Sequence, residues 1–207
     1  MPFSSVSSYL GGGAGELACG LQFVDVRNAG EAGRGFLRRG EETRMKLVMA
    51  TPDDVAELVV LRTRVSEDLA ARFGAGYWAG RATEKGALFQ MKFASVYLAR
   101  SRGRVIASLA LQKRKPWSID VKHFHVAKKP AYLTSMAVDP AQQRKGLGRA
   151  CVDEARRIAE KEGFDAIRLD AFDCAAGAGG FYLKCGFAEV ARVVYKGVPL
   201  IDFEMPL

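Results

Sequence analysis

The most constraining stretch of this chain is Gln143-Arg144-Lys145-Gly146-Leu147-Gly148, read with its two flanks. Upstream, Tyr132-Leu133-Thr134-Ser135-Met136-Ala137-Val138 is an apolar run stopped by Asp139-Pro140. Downstream, Leu147, Cys151, Ala155 and Ile158 recur three or four apart, the spacing of one helical face. The glycines therefore fall between a predicted strand and a predicted helix that begins at about Gln143 and ends near Gly163. A helix start presents unpaired backbone N–H groups and the positive end of the helix dipole. Glycine lets an anion approach the main chain, so the segment reads as a phosphate site. Arg144, Lys145 and Arg149 add charge around it. A dinucleotide fold needs Gly-x-Gly-x-x-Gly, and a P-loop needs Gly-Lys-Ser/Thr after a longer glycine spacing; the chain has neither here.

Composition narrows the setting. The chain has 207 residues, 49% of them hydrophobic and 26% charged, as in an ordinary globular protein. No apolar run approaches the roughly 18 residues of a membrane span. Cys19, Cys151, Cys174 and Cys185 lack Cys-x-x-Cys spacing, and His123 and His125 are the only histidines. The expectation is reduced thiols, a cytoplasmic protein and no metal. The net charge is +8, part of it in Lys113-Arg114-Lys115 and Lys128-Lys129. No nucleic-acid motif accompanies that charge, so no nucleic-acid partner is expected; a solvated basic face that also serves phosphates is the plainer reading.

A second block, Gly180-Phe181-Tyr182-Leu183-Lys184-Cys185-Gly186-Phe187, follows the glycine segment. Together, in this order and behind a predicted strand, the two blocks resemble the GNAT superfamily, the acyl-CoA-dependent N-acetyltransferases. Its pyrophosphate signature, Gln/Arg-x-x-Gly-x-Gly/Ala, is met by Gln143, Gly146 and Gly148. The resemblance covers roughly residues 45 to 207. It implies an α/β (α+β) fold with a mixed, mostly antiparallel central sheet, splayed central strands and about four flanking helices.

Along the chain, residues 1–44 hold nine of the 22 glycines and no sustained apolar period, and read as a flexible extension. Leu17-Ala18-Cys19 lacks the basic and apolar regions of a signal peptide. The extension is expected to be dispensable or to reflect a misassigned start at Met1 instead of Met45. Residues 45–50 form a short strand. Thr51-Pro52 opens a helix reaching about Leu69, with Val55, Leu58, Leu61 and Val65 inward. A second helix spans about Glu84 to Ala94, with Leu88, Met91 and Phe89 inward. Strands are predicted over 95–100, 105–111, 166–172, 189–195 and 200–205, and a short helix over about 177–184. Residues 113–130 form a long basic loop in which Trp117, Asp120, His123, Phe124 and His125 are candidates for the acceptor side.

The resemblance implies the chemistry. Acetyl-CoA is the donor, and a primary amine attacks its thioester directly in a ternary complex. Gln143, Arg144, Lys145, Gly146, Leu147, Gly148 and Arg149 hold the pyrophosphate. Val138 pairs with pantetheine through its backbone, and the Met136 N–H faces the thioester oxygen. Tyr182 protonates the departing sulfur, since a phenol with pKa near 10 keeps its proton at neutral pH. Two departures stand out. Ala175 occupies the place of a frequent asparagine, so Asp173 or the 175–180 backbone takes over its pantetheine contact. Tyr132 occupies the place of a glutamate base, leaving the base open between a water held by Tyr132, Asp170, Asp173 and a water chain. A CoA-binding sensor without catalysis is the alternative reading. Homodimers are frequent among similar proteins.

Overall fold

The computed structural model describes residues 45–207. The expected glycine-rich extension lies outside the described residues. A seven-stranded sheet runs through the chain in the order β1-β2-β3-β4-β5-β7-β6. Its strands are β1 (Val48–Met49), β2 (Ser95–Ser101), β3 (Arg104–Gln112), β4 (Pro130–Val138), β5 (Ala166–Phe172), β6 (Ala188–Tyr195) and β7 (Val198–Pro206). All neighbours are antiparallel except β4 and β5. Four helices flank the sheet: α1 (Val55–Phe73), α2 (Glu84–Met91), α3 (Leu147–Lys161) and α4 (Gly179–Lys184).

Local chemistry explains the boundaries. The Thr51 N–H donates to the Asp54 carboxylate at 2.7 Å, and a short 3-10 turn from Pro52 leads into α1. The helix runs four residues past Leu69 and stops at Gly74, whose φ of 78° a side chain would resist. Val55, Leu58, Leu61 and Val65 are buried as their spacing predicts. Helix α2 is shorter than expected, and two of its anticipated inward residues point out: Leu88 and Phe89 are exposed, while Ala87 faces the core. Eight residues make barely two turns, so apolar residues alone do not select one face.

One face of the sheet packs α3 and α4 into a large core that includes Leu133, Met136, Leu147, Cys151, Ile167, Leu169, Tyr182 and Phe203. The opposite face packs α1 and α2 against Val96, Leu98 and Ala110. Near the start of β4 that second face is covered by the 113–130 loop, whose Ile119 and Phe124 cluster with Tyr132.

Two irregularities make the central opening. Strand β4 carries an extra residue: Ser108 faces Ala137 while Ala110 faces Thr134, so three steps on β4 match two on β3. Ser135 takes up the difference at φ 51°, a bulge that re-aims the strand. Strand β4 then pairs with β5 only over Pro130–Tyr132 against Ala166–Arg168. Past that point the two strands diverge and open a gap between them.

Candidate active site

The gap opens toward the glycine segment. Helix α3 begins at Leu147, four residues later than the periodicity suggests, because Pro140–Gln142 forms a separate 3-10 turn and Gln143 is extended. Asp139 starts that turn by accepting from the Ala141 N–H at 2.9 Å. Gly146 is the N-cap at φ 81°, and Arg144 also has positive φ, 60°. Left-handed residues flanking Lys145 fold the main chain into a concave run of N–H groups, a nest suited to an anion. A Cβ on Gly146 would meet nothing within 4 Å, so the space above the loop is open.

Side chains from the same segment shape the loop. Gln143 Nε2 donates to the Val138 carbonyl at 3.0 Å, and Lys145 Nζ donates to the Ala141 carbonyl at 2.7 Å. Arg149 reaches across to the Lys184 carbonyl at 2.5 Å, tying the start of α3 to the end of α4. The main-chain N–H groups of Leu147, Gly148 and Arg149, which have no partner within the helix, remain for a ligand. This cradle fits a diphosphate.

Met136 and Tyr182, 46 residues apart in the chain, meet at the gap. The Tyr182 hydroxyl points at Met136 Sδ, 3.8 Å away. Phe181, Phe187 and Phe203 surround its ring at centroid distances of 5.2 to 5.9 Å. The side chain is fully buried, and burial pushes its pKa well above 10, with Cys185 and Asp170 adding to the shift. The phenol therefore holds its proton. Val138 lies on the same strand, buried beside the loop. Asp173 lies elsewhere: its carboxylate accepts two bonds from Arg192, at 2.8 and 2.9 Å, at the surface. Ala175, Ala176 and Gly177 are in a tight turn in which a Cβ on Gly177 would sit 1.8 Å from the Phe172 carbonyl oxygen.

The second face of the gap holds residues of α1, α2 and the segment between them. Arg62 on α1 donates to Gln90 at 2.7 Å, and Gln90 donates to the Ser135 hydroxyl at 2.8 Å, bracing the bulge from above. Removal from water pulls the Arg62 pKa down to about 10. Tyr77 stacks on Phe172, 5.8 Å between centroids, and its hydroxyl donates to the Gly197 carbonyl at 3.3 Å. The segment between α1 and α2 thus touches the β6–β7 turn and roofs the opening.

Beneath that roof lies a buried polar layer. Arg168 pairs with Glu204 at 2.9 Å, donates to the His125 carbonyl at 2.6 Å and packs on Phe124. The His125 ring contacts Glu204 at 2.7 Å, and His123 contacts Asp202 at 3.1 Å. Asp170 faces Asp202 across β5 and β7. Burial raises the Asp170 pKa to about 6, opposed by a hydrogen bond from Ser118 and reinforced by Asp202. Of the acceptor-side candidates in the loop, His123, His125, Asp120 and Phe124 join this layer or its rim, whereas Trp117 is 64% exposed against Arg114. The available signal was charge at alternate positions, Arg168 and Asp170 on one strand, Asp202 and Glu204 on another.

No curated protein sequence matches the chain. The fold has many solved counterparts. The PaiA N-acetyltransferase of Thermoplasma acidophilum, solved in complex with coenzyme A, superposes with a TM-score of 0.61 at 15% identity, over 79% of this chain and 99% of that one. A ribosomal-protein-alanine N-acetyltransferase from Brucella melitensis gives 0.60 at 15% identity, over 79% and 100%. The ribosomal-protein-S18-alanine N-acetyltransferase of Escherichia coli gives 0.56 at 22% identity, over 78% and 92%. These likenesses establish the fold. The profile of the acetyltransferase (GNAT) family matches residues 64–187, which span the bulged strand, the glycine loop and Tyr182, and the chain belongs to that family.

Proposed function

We propose that this protein transfers the acetyl group of acetyl-CoA to a primary amine, by direct attack of the amine in a ternary complex. The supporting observation is the convergence at one gap of three features distant in sequence. These are the Arg144–Arg149 nest, the bulged β4, which parts from β5 after Tyr132, and the buried Tyr182 hydroxyl.

In this reading the nest and the first N–H groups of α3 hold the diphosphate, with Gln143 and Lys145 fixing the loop and Arg144 and Arg149 adding charge. The Val138 N–H, on the residue whose carbonyl Gln143 holds, hydrogen-bonds the pantetheine arm, and the Met136 N–H polarises the thioester carbonyl. Tyr182 gives its proton to the departing sulfur. With the Asp173 carboxylate occupied by Arg192, the contact vacated by Ala175 falls to the 175–180 main chain. Positioning supplies most of the acceleration, since CoA offers a long handle away from the reacting bond. Three free cysteines among the described residues accord with a reducing compartment, and we place the enzyme in the cytoplasm.

The test couples binding to turnover. Acetyl-CoA is expected to raise the melting temperature, and an amine and peptide panel is expected to release free thiol in step with acetylated product. Stabilisation without thiol release from any amine would instead identify a CoA sensor.

A further inference from the structure

Asp170 occupies a singular place. Tyr132 opposite Arg168 is the last pair between β4 and β5. Two residues further along each strand, on the same side of the sheet, come Thr134 and Asp170, and Asp202 lies directly opposite Asp170 on β7. Thr134 Oγ1, Asp170 Oδ1 and Asp202 Oδ1 are all buried without a hydrogen-bond partner among the described residues. Buried polar atoms are nearly always paired, so two orphan carboxylate oxygens and an orphan hydroxyl in one row, where the sheet opens, indicate a missing donor group. An ammonium carries three donors and a charge complementary to two carboxylates.

Resting on the acetyl-transfer reading, we propose that Asp170 receives the acceptor amine as its ammonium and takes its proton, and that Asp202 and His123 pass that proton to solvent. From Asp202 the route runs to the loop side. Asp202 Oδ2 meets His123 Nδ1 at 3.1 Å, and the His123 side chain is one-third exposed. His123 lines a cleft of about 390 Å³ with Lys115, Trp117, Ser118 and Asp120. Ser118, from the same loop, hydrogen-bonds Asp170. Other titratable groups near the pair are Asp120 on the loop side and Tyr182 from α4. Arg168 and Glu204, one row away, satisfy each other.

The protons balance. On becoming an amide the ammonium nitrogen loses two. The first goes to the Asp170 carboxylate and leaves through Asp202 and His123. As the N–C bond forms and the C–S bond breaks, Tyr182 protonates sulfur, and the second nitrogen proton restores Tyr182. One proton is released per turnover. The acid and the base act from opposite faces of the same gap, and the acceptor class is an aliphatic primary amine that binds as a cation.

The experiment measures kcat/KM against pH for the full chain, using the best aliphatic amine of the panel. For the parent, the rate is expected to level off above about pH 6, the value at which Asp170 ionises, and to stay level up to the pKa of the amine. For Asp170→Asn, kcat/KM at pH 7 is expected to fall about 100-fold and then to climb tenfold per pH unit toward the amine pKa, because only free amine reacts. Acetyl-CoA affinity should not change. A variant with the parent's profile, within twofold, overturns the proposal while leaving acetyl transfer intact; a parent that releases no thiol with any amine overturns both. His123→Ala, at a partly exposed position, provides a second arm: turnover at neutral pH should drop and recover with added imidazole, and absence of both effects overturns the exit route.

Discussion

Tyr182 sits in a box of aromatic rings with its hydroxyl on a methionine sulfur, a partner that holds a proton only weakly. Packing fixes the ring and aims the hydroxyl at the Met136 sulfur. Tyr182→Phe is therefore expected to lower kcat about 100-fold or more with little change in acetyl-CoA Kd, measured by steady-state thiol release and calorimetry. Equal kcat for variant and parent would remove the acid assignment. Asp170 leaves its mark on stability. Its native pKa of about 6 lies above the ordinary 3.8, so folding takes up a proton between those values. The protonated form's contribution is fully present below pH 4 and is lost as pH rises through 6. Above that, the buried charge costs about 3 kcal/mol. Asp170→Asn should then melt several degrees above the parent at pH 8 and level with it near pH 4, by thermal denaturation at both pH values.

At the scale of elements, the β4 bulge and the start of α3 carry the site. The sequence located both ends of the loop but placed the helix start too early. Helical spacing cannot register that Gln143 and Lys145 spend their side chains on the Val138 and Ala141 carbonyls, holding a non-helical turn. Gly146 is the N-cap, with open space above it. Gly146→Asp puts a carboxylate into that space with only modest strain, since aspartate tolerates the left-handed region better than most residues. The variant should fold yet lose acetyl-CoA binding by at least 100-fold in calorimetry; retained affinity would place the diphosphate elsewhere. The bulge at Ser135 left no trace in the sequence, because Thr134-Ser135 looks like any polar pair in a strand. Likewise Leu88 and Phe89 were read as inward on α2 and lie exposed, since so short a helix is placed by its neighbours.

For the whole molecule, the net charge belongs to residues 45–207. Residues 1–44 carry equal numbers of acidic and basic side chains, so the net +8 resides in the rest. Leu47, just before β1, is buried against the α3 side of the sheet. A chain beginning at Met45 is expected to match the full chain in melting temperature and in acetyl-CoA affinity. One beginning at Val48 is expected to lose about 2 kcal/mol, read by denaturant titration, because the Leu47 side chain leaves the core. Intact-mass measurement of protein made from the native gene separates a dispensable extension from a misassigned start.

The linear chain determined the order of elements, the phosphate loop and the two motif blocks, because glycine placement, helix spacing and strand alternation are local properties of a few residues. Alternation also puts Arg168 with Asp170, and Asp202 with Glu204, on one face of their own strands. Tertiary structure alone decided that this face is buried. Alternation reads a charged face as a wet one, and here the 113–130 loop seals it, turning surface charges into a hydrogen-bonded layer with three unpaired oxygens at its edge. Burial by a covering segment distant in sequence depends on pairings that no local pattern encodes, and that burial is what pushes the Asp170 proton into the neutral range.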